Sequence, residues 1–274
     1  MLFDQKIKEL EEKARLIRRD IISMISKAGS GHPGGSLSAT DILTVLYFHK
    51  MNIRPTEPNW PDRDRLVLSK GHAAPLLYSC LAEAGYFPTS YLGTLRQIGS
   101  SLQGHPDMLS LPGIEMTTGS LGQGLSAAVG MALAARVDKK AYRVYCVMGD
   151  GETQEGQIWE AAMAAGHYKT DNLTAVLDHN KLQIDGHIEK IKGLDPVVDK
   201  WKAFRWNVIS GVNGHDVKAL IKAFDEAEKV KGRPSIIIAD TIKGKGVSFM
   251  ENNNEFHGRA PTKEETERAL EELK

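Results

Sequence analysis

Three observations predict an α/β fold whose parallel sheet is flanked by helices on both faces. Short apolar runs of strand length, Val144-Tyr145-Cys146-Val147-Met148 and Leu173-Thr174-Ala175-Val176-Leu177 foremost, alternate with longer helical stretches. The runs are apolar at consecutive positions, as strands buried on both faces are. Polar, glycine-bearing segments follow the runs directly, where an open α/β sheet gathers its ligands. The chain has 274 residues, 41% of them hydrophobic, so one sizeable core and a single domain over residues 1–274 are expected.

Composition removes several classes of function. The 35 Lys and Arg balance the 35 Asp and Glu, which argues against nucleic acid or an anionic membrane as partner. Cys80 and Cys146 stand alone, outside any CxxC spacing, and fit a reduced, cytoplasmic protein. No apolar run has the length of a membrane span, and the charged N-terminal stretch lacks the apolar core of a signal peptide.

The elements follow in order. Ile7, Leu10, Ala14, Ile17, Ile21, Met24 and Ala28 recur at helical spacing, so residues 4–28 read as an amphipathic helix. Ser30-Gly31-His32-Pro33-Gly34-Gly35-Ser36 reads as a tight loop that presents His32. A helix is expected over 39–48 and a surface connection over 54–65. Residues 65–70 have strand character and lead to Gly71-His72 and a helix over 73–84. His72 therefore sits at a strand-to-helix junction, where backbone N–H groups favour anions; the plainer role is a helix cap. Gln103-Gly104-His105-Pro106-Asp107 presents a third loop histidine. Met116 to Gly124 opens a helix running to Val137 that is apolar all round, and so is expected to be buried.

The strand 144–148 ends at Gly149-Asp150-Gly151, where flanking glycines leave room for a phosphate to approach the backbone. A helix over 154–168 follows, with Glu152, Glu155 and Glu160 near its start. The helix dipole explains the first two more readily than Glu160. The strand 173–177 then delivers Asp178-His179-Asn180-Lys181-Leu182. Asp150 and Asn180, one carboxylate and one amide oxygen on two strand ends, suit a hard cation, Mg2+ or Ca2+, that also touches phosphate. A connection and short helix fill 187–204, a strand 207–209, and a turn at Asn213-Gly214-His215-Asp216 caps a helix over 217–230, with His215 structural. Ser235 to Asp240 is the clearest strand. It ends in the basic, glycine-rich Thr241-Ile242-Lys243-Gly244-Lys245-Gly246, which suits an anion. A polar loop, His257-Gly258 and a charged surface helix over 263–273 close the chain.

Gly149-Asp150-Gly151, Gln154-Glu155-Gly156 and Asn180-Lys181-Leu182-Gln183-Ile184-Asp185-Gly186 together resemble the thiamine diphosphate (ThDP) signature in its transketolase form. Where that family usually carries Asn-Asn or Asp-Asn, this chain has His179-Asn180. Ser30-Gly31-His32-Pro33-Gly34, Ser69-Lys70-Gly71-His72, Gly104-His105-Pro106 and His257-Gly258 resemble further elements of the family. The resemblance implies a ThDP-binding fold and covers nearly the whole chain, but only the diphosphate-binding domain of a complete transketolase. It implies metal ligation by Asp150, Asn180 and Leu182. It implies cofactor contacts from His72, Gly119, Leu121, Gly149, Asp150, Gly151, Glu155, Asn180, Lys243 and His257. Substrate-facing, catalytic roles fall to His32, His105 and His257, and a contact between subunits to Glu155 and Glu160.

The family draws its catalytic glutamate and cofactor-bending apolar residue from a pyrimidine domain that this chain lacks. The resemblance therefore implies the N-terminal subunit of a split transketolase, inactive alone. A C-terminal partner subunit would complete it in moving a two-carbon unit between sugar phosphates, in a dimer of heterodimers. A piece of a longer chain is the other expectation, against which the charged helix 263–273 weighs as a natural end. Other readings are another ThDP enzyme, a non-catalytic paralogue, and a nucleotide-binding domain, the last without any GxGxxG or GxxxxGK[ST] after a strand. A zinc site among the histidines lacks thiolates and HxxxH spacing.

Overall fold

The computed structural model describes residues 2–274. Helix α1 spans Leu2–Ala28 and buries Leu10, Ala14, Ile17, Ile21 and Met24, the predicted stripe. Two short helices follow, α2 at Pro33–Ser38 and α3 at Thr40–Val45, the latter continued by a π-helical turn to Lys50. Strand β1 at Arg65–Leu68 leads through a 3-10 turn into α4 at Ala74–Ala84. Helix α5 is Gln123–Val137, β2 Val144–Gly149, α6 Gly156–Tyr168 and β3 Leu173–His179. A small antiparallel hairpin, β4 at Leu182–Gln183 and β5 at Gly186–His187, precedes α7 at Ile188–Lys192 and α8 at Val197–Ala203. Then come β6 at Asn207–Asn213, α9 at Val217–Lys229, β7 at Ser235–Asp240 and α10 at Lys263–Glu272.

The main sheet has strand order β1-β2-β3-β7-β6, with every pairing parallel. Its strands are buried on both faces because alternate side chains enter two different cores. Tyr145, Val147, Val176 and Ile237 pack with α1, α3, α4 and α9. Val144, Cys146, Met148, Leu173, Ala175, Leu177, Ile236 and Ile238 pack with α5, α6 and α8. Both cysteines lie inside this sandwich, Cys80 on α4 and Cys146 on β2. Among the described residues no helix is long and apolar enough to cross a membrane.

The structure corrects three local expectations. The segment after His32 is not an open loop: Pro33–Ser38 is a buried helical turn. Proline fits its first position, where the missing N–H has no helical partner to lose. Helix α5 is not buried all round, since Gln123, Gly130, Ala134 and Val137 are exposed along one side. The hairpin after Asn180 was not expected, because strands of two residues leave no periodic signal. At the C-terminus α10 carries a capping box, Thr262 with Glu265, and buries Ala269.

Candidate active site

A cavity of about 330 Å³ opens at the carboxyl ends of β1, β2, β3 and β7. Each strand contributes its first residues beyond the sheet. β1 delivers Lys70 and His72, β2 delivers Asp150, β3 delivers Asn180, and β7 delivers Lys243. His32 and Gly35 from α2 and its entry, Gly119 and Leu121 from the segment before α5, and His257 complete the wall. Gly149, Gly151 and Leu182 also line it.

Asp150 is 2% exposed, and its bonds come from backbone. Oδ1 accepts from Gly151 N–H at 2.7 Å, and Oδ2 from Lys181 N–H. Burial, with Asp178 alongside, pushes its carboxyl up to about 6. Asp178, fully buried, is treated in the opposite way. Burial alone would raise it, but the Lys70 ammonium overrides this and holds the carboxyl below its ordinary range. Lys70 Nζ also donates to the Gly35 carbonyl at 2.8 Å. Asn180 Nδ2 donates to Asp178 at 3.2 Å, which turns its Oδ1 toward Leu182 N–H, 3.1 Å away. The result is one neutralised carboxylate, Asp178, that fixes the frame, and one uncompensated carboxylate, Asp150, beside an amide oxygen.

Cationic and imidazole side chains share the same cavity. Lys243 is 2% exposed, and its Nζ donates to the Leu182 carbonyl at 3.1 Å and lies 2.8 Å from His257 Nδ1. An ammonium only donates, so Nδ1 accepts and the His257 proton resides on Nε2. Burial, with Lys70 next, brings Lys243 down to about 8. Burial, then Lys243, takes His257 to about 3. His32 falls to about 4 through burial and Arg96, and burial pushes His72 well below the usual imidazole range. The rings of His32, His72 and His257 lie with centroids 5.3–5.6 Å apart. Groups that can carry or donate a proton are crowded here, an environment suited to a diphosphate.

His105 is exposed and stands at the mouth, its ring centroid 6.1 Å from that of His32. It lies against Gly119, at φ +141°, where a Cβ would come within 2.8 Å of the imidazole. Glu155 and Glu160 are exposed and outside the cavity lining. Glu155 packs beside Gly122 instead. His179 faces Asp240 at 3.0 Å.

Sequence reasoning missed Lys70 and Asp178 as a buried pair, although a charged residue closing an apolar run was a signal for both. It also gave no sign of how fully Glu152 is bonded. That side chain is 2% exposed and accepts from Gly122 N–H at 3.0 Å, Gly149 N–H at 3.1 Å and the Ser69 hydroxyl. It ties the ends of β1 and β2 to the N-cap of α5. Gln183, Ile184 and Asp185 of the hairpin line the cavity as well.

The residues fit ThDP and a divalent cation. Asp150 lacks a bonded cationic side chain, Asn180 offers an amide oxygen, and the Leu182 carbonyl faces the same space, a hard oxygen donor set. Among the described residues no group of three or more His, Cys, Asp and Glu could hold a metal ion, as a zinc centre would require.

Known proteins bear on the cofactor. The family model described as transketolase, thiamine diphosphate binding domain, matches residues 9–273. The chain is 50% identical over 265 residues to SqwG of Clostridium sp. (strain MSTE9), a 6-deoxy-6-sulfo-D-fructose transketolase subunit, covering 97% of this chain and 96% of that one. It is 43% identical over 268 residues to one subunit of the apulose-4-phosphate transketolase of Phocaeicola vulgatus, covering 98% and 95%. The crystal structure of transketolase from Campylobacter jejuni superposes with a TM-score of 0.92 at 37% identity, over 97% of this chain but 43% of that chain. A parallel sheet with its charged strand ends gathered around one cavity, and these likenesses, lead to one conclusion: the chain belongs to the transketolase family, as its thiamine diphosphate-binding domain.

Proposed function

We propose that this chain is the N-terminal, diphosphate-binding subunit of a two-component transketolase. With a C-terminal partner it transfers a two-carbon ketol unit from a ketose phosphate, or a similarly charged ketose, to an aldose phosphate. The observation that carries this reading is the match to proteins named as transketolase subunits over 96% and 95% of their length.

Bound ThDP would supply the thiazolium carbon that accepts and releases the two-carbon unit. This chain's residues bind and orient. Lys243, His72 and His257 hold the diphosphate. Asp150, Asn180 and the Leu182 carbonyl would hold Mg2+, or Ca2+. Leu121 gives the ring an apolar wall beside the backbone of Gly119. His32, His105 and His257 face the sugar, and the neutral His257 donates from Nε2 to a hydroxyl or carbonyl oxygen. The partner contributes the pyrimidine domain with its glutamate. The exposed side of α5 and α6, with Glu155, Glu160, Gly130 and Met163, is the face for a second copy in a heterotetramer. A cytoplasmic setting suits two buried free thiols.

The test is calorimetric titration of the two-component mixture with ThDP, with and without Mg2+. Binding should need the metal, and Asp150→Ala should weaken it by about 100-fold or more, at the upper end of what loss of a metal-site group costs. Metal-independent binding, or an Asp150→Ala variant that binds as the parent does, would refute the assignment.

A further inference from the structure

The loop 241–246 that carries Lys243 is fastened on both sides of that residue by groups outside the cavity lining. On one side, the Ile242 backbone N–H donates to Nε2 of His215 at 2.8 Å. On the other, the Lys245 carbonyl accepts from Nε of Arg18 at 3.2 Å. The two fasteners meet on one carboxylate. His215 Nδ1 lies 2.8 Å from Asp41 Oδ2, and Arg18 forks onto both Asp41 oxygens, with Nη1 3.1 Å from Oδ1. Because His215 Nε2 accepts from a backbone amide, its proton resides on Nδ1 and is donated to Asp41.

This fork joins α1, α3 and the turn before α9 to the loop. It is buried, with Arg18 8% and Asp41 5% exposed. A buried ion pair is no better for stability than well-packed apolar side chains, so stability alone does not account for it. The loop between the fasteners has little slack. Gly244, at φ +81°, has no room for a Cβ, which would lie 2.2 Å from the Met250 carbonyl oxygen. Its N–H donates to the Gly34 carbonyl at 3.0 Å, and the Lys243 carbonyl accepts from Asn252 at 2.9 Å. With both flanks and its own carbonyl held, the backbone of Lys243 is fixed, and the buried side chain leaves from a fixed Cα toward the Leu182 carbonyl and His257.

We infer that Arg18, Asp41 and His215 are positioning residues that set where the Lys243 ammonium stands in the cavity. The inference rests on the reading that Lys243 holds the cofactor's diphosphate.

Two substitutions separate positioning from bulk support. His215→Asn places an amide near Nδ1, keeping the bond to Asp41 and losing the acceptor for Ile242. His215→Gln places its amide near Nε2 and keeps that acceptor. ThDP affinity in the presence of Mg2+, measured on the full chain mixed with its partner, should fall about tenfold for Asn and stay near the parent for Gln. In a Lys243→Ala background His215→Asn should add almost nothing, because the residue it positions is gone. Equal losses in the two variants, or an undiminished loss in that background, would overturn the inference. Weak binding by Lys243→Ala with full binding by His215→Asn would sink the inference alone. Full binding by Lys243→Ala would sink the cofactor role of Lys243 and the inference with it. If His215→Asn does not fold, Arg18→Lys keeps a charge at Asp41 and drops the Lys245 contact. The same loss is then expected, and unchanged affinity contradicts the inference.

Discussion

Lys243 and His257 define the site at the residue scale, because the lysine sets the state of the imidazole. The ammonium donates to Nδ1 and helps hold the imidazole neutral far below its ordinary range. In the chain without cofactor, an NMR titration should find no midpoint for His257 or His32 between pH 5 and 8, since they titrate at about 3 and about 4. Replacing Lys243 by Met should move the His257 midpoint upward while leaving it depressed by burial. A His257 midpoint near 6.5 in the parent chain would contradict this geometry. The linked stability has a definite sign. Both imidazoles protonate near 6.5 once the chain unfolds. Between that value and their folded values, the unfolded chain binds more protons. Their contribution is therefore complete above pH 6.5 and is lost as pH falls through it toward 4. The urea midpoint of the chain should drop over that interval. The candidate residues were legible because histidines beside glycine or proline, and Asp or Asn just past an apolar run, are conspicuous. Lys70, Asp178 and Glu152 were not assigned their roles, because a buried charge is recognised by its partner, and the partners are distant in sequence.

At the scale of elements, the long helices were readable and the short ones were not. Helices α1, α9 and α10 each present an apolar stripe against a charged face, which periodicity detects. The π-helical turn after α3, the turn α2 and the hairpin β4–β5 are too short for any period to register. Of these, the turn α2 and the hairpin are where the chain bends around the cavity. Glu152 clamps three segments at the strand ends, so Glu152→Ala should strand the N–H groups of Gly122 and Gly149 and leave a void. A loss of about 2–4 kcal/mol in a urea titration is expected, and a change below about 0.5 kcal/mol would show the clamp to be idle. Helix α5 supports the opposite change. A Cβ on Gly130 would meet open space, so Gly130→Ala should stabilise the chain by about 1 kcal/mol through helix propensity. Destabilisation in the isolated chain would mean that this face is already packed.

For the whole molecule, the fold class was legible and the strand order was not. Consecutive apolar runs announce strands buried on both faces, but nothing local says that β7 inserts between β3 and β6. That insertion brings Lys243 beside Asn180 and so closes the cavity. The molecule also carries a functional asymmetry that no single element reveals. Its cavity gathers cationic and anionic side chains around one space, where Asp178 is tied to Lys70, Glu152 to backbone N–H groups and the Ser69 hydroxyl, and Asp150 to backbone N–H groups alone. In the proposed function, the acid that a bound heteroaromatic ring needs comes from the partner chain. The most direct test mixes this chain with its C-terminal partner, ThDP and Mg2+, and follows two-carbon transfer from xylulose 5-phosphate to ribose 5-phosphate, with each component by itself as control. Turnover in the mixture and in neither control is the predicted result. Turnover by this chain alone, or a stable ThDP-loaded mixture that transfers nothing from any ketose phosphate, would contradict it.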